Sequence, residues 1–102
     1  MRTLPEPIVF QWDKGHLTKN VDKHNVSPQE AEELFRTEPF ITVEDGDHST
    51  QKEQRFQGLG QTKAGRKLFV AFTIRDKKIR VISIRDMKRK ERQAYEQLKT
   101  NS

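Results

Sequence analysis

Ile8, Phe10 and Trp12 alternate with Val9 and Gln11, the period-2 pattern of a short strand with one strongly apolar face. The period then lengthens. Asp13 stands as an N-cap, and Leu17 and Val21, four residues apart among Lys and His, predict a helix over about 14–24 that ends at Asn25. Ser27-Pro28-Gln29-Glu30 is a second helix start: Ser27 caps, Pro28 takes the first helical position and Glu30 completes a capping box. That helix runs over about 28–36, with Ala31, Leu34 and Phe35 as its apolar stripe and Pro39 preventing its extension. Phe40 to Val43 reads as a short extended piece, and "EDGDHSTQKE" as an exposed loop.

The second half returns to period 2. "EQRFQGL", "RKLFVAFTI" and "KIRVISIR" predict three strands in an antiparallel meander, with "RDKK" as a hairpin turn and "GLGQTKAGR" as a glycine-bearing connection. Gly58 and Gly60 are not followed by the helix that a phosphate-binding loop needs. Asp86 is placed to cap a last helix over about 87–99, whose sparse apolar face is Met87, Ala94, Tyr95 and Leu98. The predicted fold class is α+β: strand, two helices, three-stranded meander, C-terminal helix.

Strand parity sorts the side chains. Leu68, Val70, Phe72 and Ile74 are assigned to the core, with Phe56, Ile82 and Ile84. Arg55, Glu53, Gln57, Val81, Ser83 and Arg85 fall on the opposite, open face, while Arg80 has core parity and is expected to reach solvent at the strand end.

Composition narrows what such a chain can be. With 102 residues, 31% of them hydrophobic, it is expected to be a single domain spanning 1–102 with one modest core. It has no cysteine, which excludes disulfides, thiolate metal sites and cysteine nucleophiles. No run of about 18 apolar residues and no secretory leader pattern is present, so a soluble, cytoplasmic protein is expected. The net charge of +5 hides a division: residues 1–51 hold five Lys/Arg against ten Asp/Glu, a net of −5, and residues 52–102 carry +10. Such a split often marks a surface that faces a polyanion, the competing reading being a solvated charged face with no ligand.

A carboxylate among arginines and a hydroxyl has two readings. One is a cross-strand ion pair on a wet sheet face, contributing about 0 to 1 kcal/mol. The other is a phosphodiester site, in which arginine forks hold the phosphate while an acid or base moves the proton. Asp45, Asp47 and His48 lie close together but lack a distant fourth ligand, and His16 and His24 are about 12 Å of helical rise apart, so no metal or other cofactor is expected.

The order of motifs resembles the BrnT family of bacterial type II toxins. The matching residues are Trp12-Asp13, Lys23-His24 followed by Val26-Ser27, His48, Glu53-x-Arg55, Gly65-Arg66, the "IRVISIR" strand, and Glu91 with Tyr95. Asn25 stands where the family usually has glycine, and asparagine tolerates a left-handed helix end. The resemblance implies a RelE-like ribonuclease fold and metal-independent RNA cleavage with the 2′-hydroxyl as internal nucleophile. It also implies a BrnA-like antitoxin with a ribbon-helix-helix portion that binds DNA, in a heterotetramer. Under it, Arg55, Arg80 and Arg85 would bind and polarise phosphate beside Ser83, with Glu53 or His48 as general base or acid. Lys88, Arg89 and Arg92 would contact the RNA backbone, and Tyr95 would stack a base or donate a hydrogen bond, although its helical spacing from Met87 more often marks a core position. The competing class is a noncatalytic module that uses the same cations to bind nucleic acid or protein.

Overall fold

The computed structural model describes residues 8–11, 25–44 and 54–100. The helix expected over 14–24 and the loop with His48 and Glu53 lie outside the described residues. The first described helix, α1 (Pro28–Arg36), has the expected bounds and cap. Ser27 Oγ accepts from the Glu30 amide at 3.1 Å, and the Glu30 carboxylate accepts from the Ser27 amide at 3.1 Å. Asn25, just before it, takes the left-handed conformation at φ 52.

Four antiparallel strands follow in sequence order: β1 (Ile41–Glu44), β2 (Gln54–Gln61), β3 (Lys67–Arg75) and β4 (Lys78–Asp86). The α+β class stands, but the meander has four strands rather than three. The short extended piece expected over Phe40 to Val43 is β1, and pairing with Leu59 to Phe56 makes it a fourth strand of the sheet. At the other edge, Phe10 makes a parallel bridge to Ile79: the Gln11 amide donates to the Ile79 carbonyl, and the Ile79 amide to that of Val9, both at 2.8 Å. The β3–β4 turn is Asp76-Lys77, with φ of 53 and 62, as a two-residue hairpin of primed type requires.

The core lies between α1 and one face of the sheet. Leu34 and Phe35 of α1 are buried with Phe56, Leu68, Val70, Phe72, Ile79, Val81 and Ile84. Phe35 meets Phe10 edge-on at 5.3 Å and Phe72 at 4.9 Å, and Phe72 stacks on Phe56 at 5.4 Å. Gly58 and Gly60 belong to this face rather than to a connection. A Cβ on Gly58 would come within 2.6 Å of the Phe40 ring, and one on Gly60 within 2.9 Å of Leu34, so both glycines admit side chains that cross the sheet. The β2–β3 connection turns instead at Gly65, with φ 93.

The last helix, α2 (Arg89–Thr100), crosses one end of the opposite sheet face. Lys67 pairs with Glu96, and Lys99 donates to Gln61 at 3.3 Å. Asp86 does not cap it. That carboxylate ends β4 and takes the Arg66 guanidinium in two bonds of 2.9 and 3.2 Å. The helix is started by Glu91, whose carboxylate accepts the Lys88 amide at 2.8 Å. No helix among the described residues is long and apolar enough to cross a membrane.

Candidate nucleic-acid interface

An irregularity in β4 sets the arrangement of the second sheet face. Ala71 pairs with Ser83 but Phe72 pairs with Val81, so Ile82 is an extra residue and the register shifts there. Strict alternation assigns Val81 to the open face and Arg80 to the core side; the bulge reverses both. Val81 is 1% exposed within the core, Ile82 is half-buried at the bulge, and Ile84 returns to the core. Arg80, Ser83 and Arg85 therefore share one face with Arg55.

The ladder arranges that face in rows. One row reads Arg55, Thr73, Arg80 across three strands; the next reads Gln57, Ala71, Ser83; the next Leu59, Phe69, Arg85. With strands about 4.8 Å apart, the Cα atoms of Arg55 and Arg80 are roughly 10 Å from each other. Both arginines are half-buried, and guanidinium side chains are long enough to span that separation. Arg75 and Lys78, paired in the row beyond, add two exposed cations towards the hairpin tip.

Arg85 is a different case. It stands two rows away, about 13 Å along the strand from the Arg55 and Arg80 row. Its guanidinium lies 4.1 Å over the Phe69 ring, and it grips both Glu91 oxygens at 2.8 and 3.0 Å. A further bond reaches the Asp86 carbonyl at 3.2 Å. Those bonds hold the Glu91 carboxyl below its ordinary value of 4.5, helped by the Lys88 amide and opposed by partial burial. The structure thus groups Arg55, Arg80 and Ser83, and places Arg85 in a clamp that ties β4 to α2.

The start of α2 is crowded with exposed cations: Lys88, Arg89, Lys90 and Arg92. Positive side chains at a helix N-terminus oppose the helix dipole, by about 0.3–1 kcal/mol each at low salt, so helix stability does not explain them. Glu91 relieves part of this repulsion, and Arg92 donates to the Met87 carbonyl at 2.7 Å.

Tyr95 is 0% exposed, and its hydroxyl donates to the Pro39 carbonyl at 2.9 Å. Burial raises its pKa above the ordinary 10.0. A side chain with no open face cannot stack a base, so its place is in the packing of α2 against the sheet, in correction of the RNA-binding expectation. Tyr95→Phe is accordingly expected to cost about 1 kcal/mol in urea unfolding and to leave RNA cleavage unchanged. Lost cleavage at full stability would return the hydroxyl to the site.

Arg66 is a structural hub that the sequence did not single out beyond its motif. Besides Asp86 it donates to the Asn25 carbonyl at 2.7 Å and to Glu30 at 3.2 Å, tying the end of β4 to the cap of α1. These carboxylates, Asp86 first, raise its pKa further. No cluster of three metal-binding side chains occurs among the described residues. Thr73 was also missed; its signal was a hydroxyl at open-face parity between two arginine-bearing strands.

A four-stranded sheet with one face packed by a helix and the other carrying a cationic row beside a basic helix start defines a small α+β protein with one strongly cationic face. The chain belongs to the BrnT family: the model described as "Ribonuclease toxin, BrnT, of type II toxin-antitoxin system" matches residues 12–91. The crystal structure of the Brucella abortus ribonuclease toxin BrnT is similar, with a TM-score of 0.55 at 16% identity, over 80% of this chain and 99% of that one. At that identity the likeness is one of fold. No curated protein sequence matches the chain.

Proposed function

We propose that this toxin-family protein is an endoribonuclease of RelE-like architecture that cuts RNA without a metal ion and is silenced by a BrnA-like antitoxin. The observation that carries the reading is the Arg55, Thr73, Arg80 row, with Ser83 one row away and α2 cations flanking it. In the proposed reaction the ribose 2′-hydroxyl attacks the adjacent phosphorus. A general base takes its proton, and the bond to the 5′-oxygen breaks as an acid protonates that oxygen, leaving a 2′,3′-cyclic phosphate and a 5′-hydroxyl. Arg55 and Arg80 meet the charge that grows on the phosphoryl oxygens, and Ser83 offers a hydroxyl nearby. Glu53 and His48 are the proposed proton carriers; histidine suits this work because its unperturbed pKa is about 6.5. Lys88, Arg89 and Arg92 hold the flanking backbone.

The partner is a ribbon-helix-helix antitoxin in a heterotetramer, which alone contacts DNA. An acidic, amphipathic segment of it would cover the cationic sheet face and α2, hiding the cations that RNA needs. Purified protein incubated with labelled RNA in EDTA is expected to produce 2′,3′-cyclic ends, and saturating antitoxin to stop it. RNA that is bound but left intact would favour the noncatalytic module. Cleavage unaffected by antitoxin would show that the two ligands use different surfaces.

A further inference from the structure

We propose that the Thr73 hydroxyl is a third phosphate ligand, donating to a non-bridging oxygen of an RNA phosphate held between Arg55 and Arg80. The inference deepens the proposed function and rests on that reading of the sheet face. Thr73 is 0% exposed, yet its Oγ1 has no hydrogen-bond partner among the described residues. Buried hydroxyls are nearly always paired, because burial without a partner forfeits their bonds to water. Valine has the same shape and strand preference and would avoid that cost. A threonine here therefore has a use for its hydroxyl that no group among the described residues satisfies.

The position states what that use is. Thr73 pairs with Arg55 on one side and Arg80 on the other, so the residue stands between two arginines in the ladder. The same face gains Arg75 and Lys78 in the next row. This surroundings selects an anion, and a hydroxyl bonded to an anion acts as donor. A phosphodiester has two non-bridging oxygens with enough lone pairs for two guanidinium forks and one short O–H bond. Binding then requires the groups that cover Thr73 to move aside, since the residue is fully buried without a ligand.

The test compares Thr73→Val and Thr73→Ser with the parent protein, using a short 2′-O-methyl oligoribonucleotide, which blocks the internal nucleophile, and the matching cleavable RNA. Thr73→Val is expected to keep or raise the thermal midpoint and to weaken oligonucleotide binding by about tenfold or more, as loss of a hydrogen bond to a charged group does. Cleavage should fall at least as far, and Thr73→Ser should restore both. A valine protein that binds and cleaves like the parent, or a serine protein as impaired as the valine one, overturns the proposal. Thr73→Ala, judged by the same readings, serves should valine not be accommodated. A parent that binds but never cleaves refutes the ribonuclease reading while the binding comparison still decides Thr73. A parent that fails to bind the oligonucleotide refutes both.

Discussion

Replacing Arg55 and Arg80 together by alanine is expected to lower RNA cleavage by about 10³-fold or more, and each single change by about 10²-fold. The two residues flank Thr73 in the ladder, so under the proposed reaction they meet one phosphate rather than two. Charge builds on the phosphoryl oxygens during attack, and fixed donors aimed at them stabilise that state more than the ground state. Lysine should rescue poorly, since a point charge lacks the planar fork. Both residues lie on the face opposite the core, so the fold should persist, and circular dichroism with the thermal midpoint is read beside cleavage to separate lost chemistry from lost structure. Parental cleavage by a folded double variant would remove the row from the mechanism and leave the α2 cations as the principal RNA contacts.

The second large effect belongs to stability. Arg85→Ala is expected to cost about 2–3 kcal/mol, because it breaks a two-pronged, partly buried bond to Glu91 and a stacking contact with Phe69. Glu91→Ala should cost a similar amount, since it strands the guanidinium and leaves the Lys88 amide at the start of α2 without its acceptor. The double variant should be little worse than either single one, as for any two groups that serve each other. Acid should show the same clamp. The Glu91 pKa is lowered in the folded state, so its contribution is fully present above about pH 4.5 and is lost as pH falls below that. Glu91→Gln should therefore flatten the acid limb of the stability curve without removing it, because Glu30 is also held low, chiefly by the Ser27 amide. Urea titrations between pH 3 and 7 measure this. An Arg85→Ala protein as stable as the parent but unable to cleave RNA would return Arg85 to the phosphate site.

Local signals carried much of the fold. The Ser27-Pro28-Gln29-Glu30 start needs only neighbouring backbone, and α1 has the bounds it predicts. The alternation in β3 is long enough that Leu68, Val70 and Phe72 could face only one way, and all three are buried. Where an element depended on a distant partner the pattern was incomplete, giving Phe40 to Val43 as an extended piece without its place in the sheet. Strand β1 exists through its pairing with β2, and Gly58 and Gly60 are explained by Phe40 and Leu34 rather than by a turn. Asp86 carries the right chemistry for a cap, but Arg66, twenty residues earlier in the chain, takes it.

For the candidate site, the sequence by itself determined the chemistry: arginines concentrated in the second half, a hydroxyl among them, and a motif order that places the chain in its family. Composition and spacing are properties of the chain alone, so they survive any folding detail. The tertiary structure decided which of those groups meet. One inserted residue at Ile82 moves Arg80 onto the face of Arg55, because side chains in a strand alternate and a single extra residue reverses every assignment on one side of it. Docking of α2 assigns Arg85 to Glu91 and buries Tyr95, since the same guanidinium or ring serves substrate or scaffold according to what packs against it.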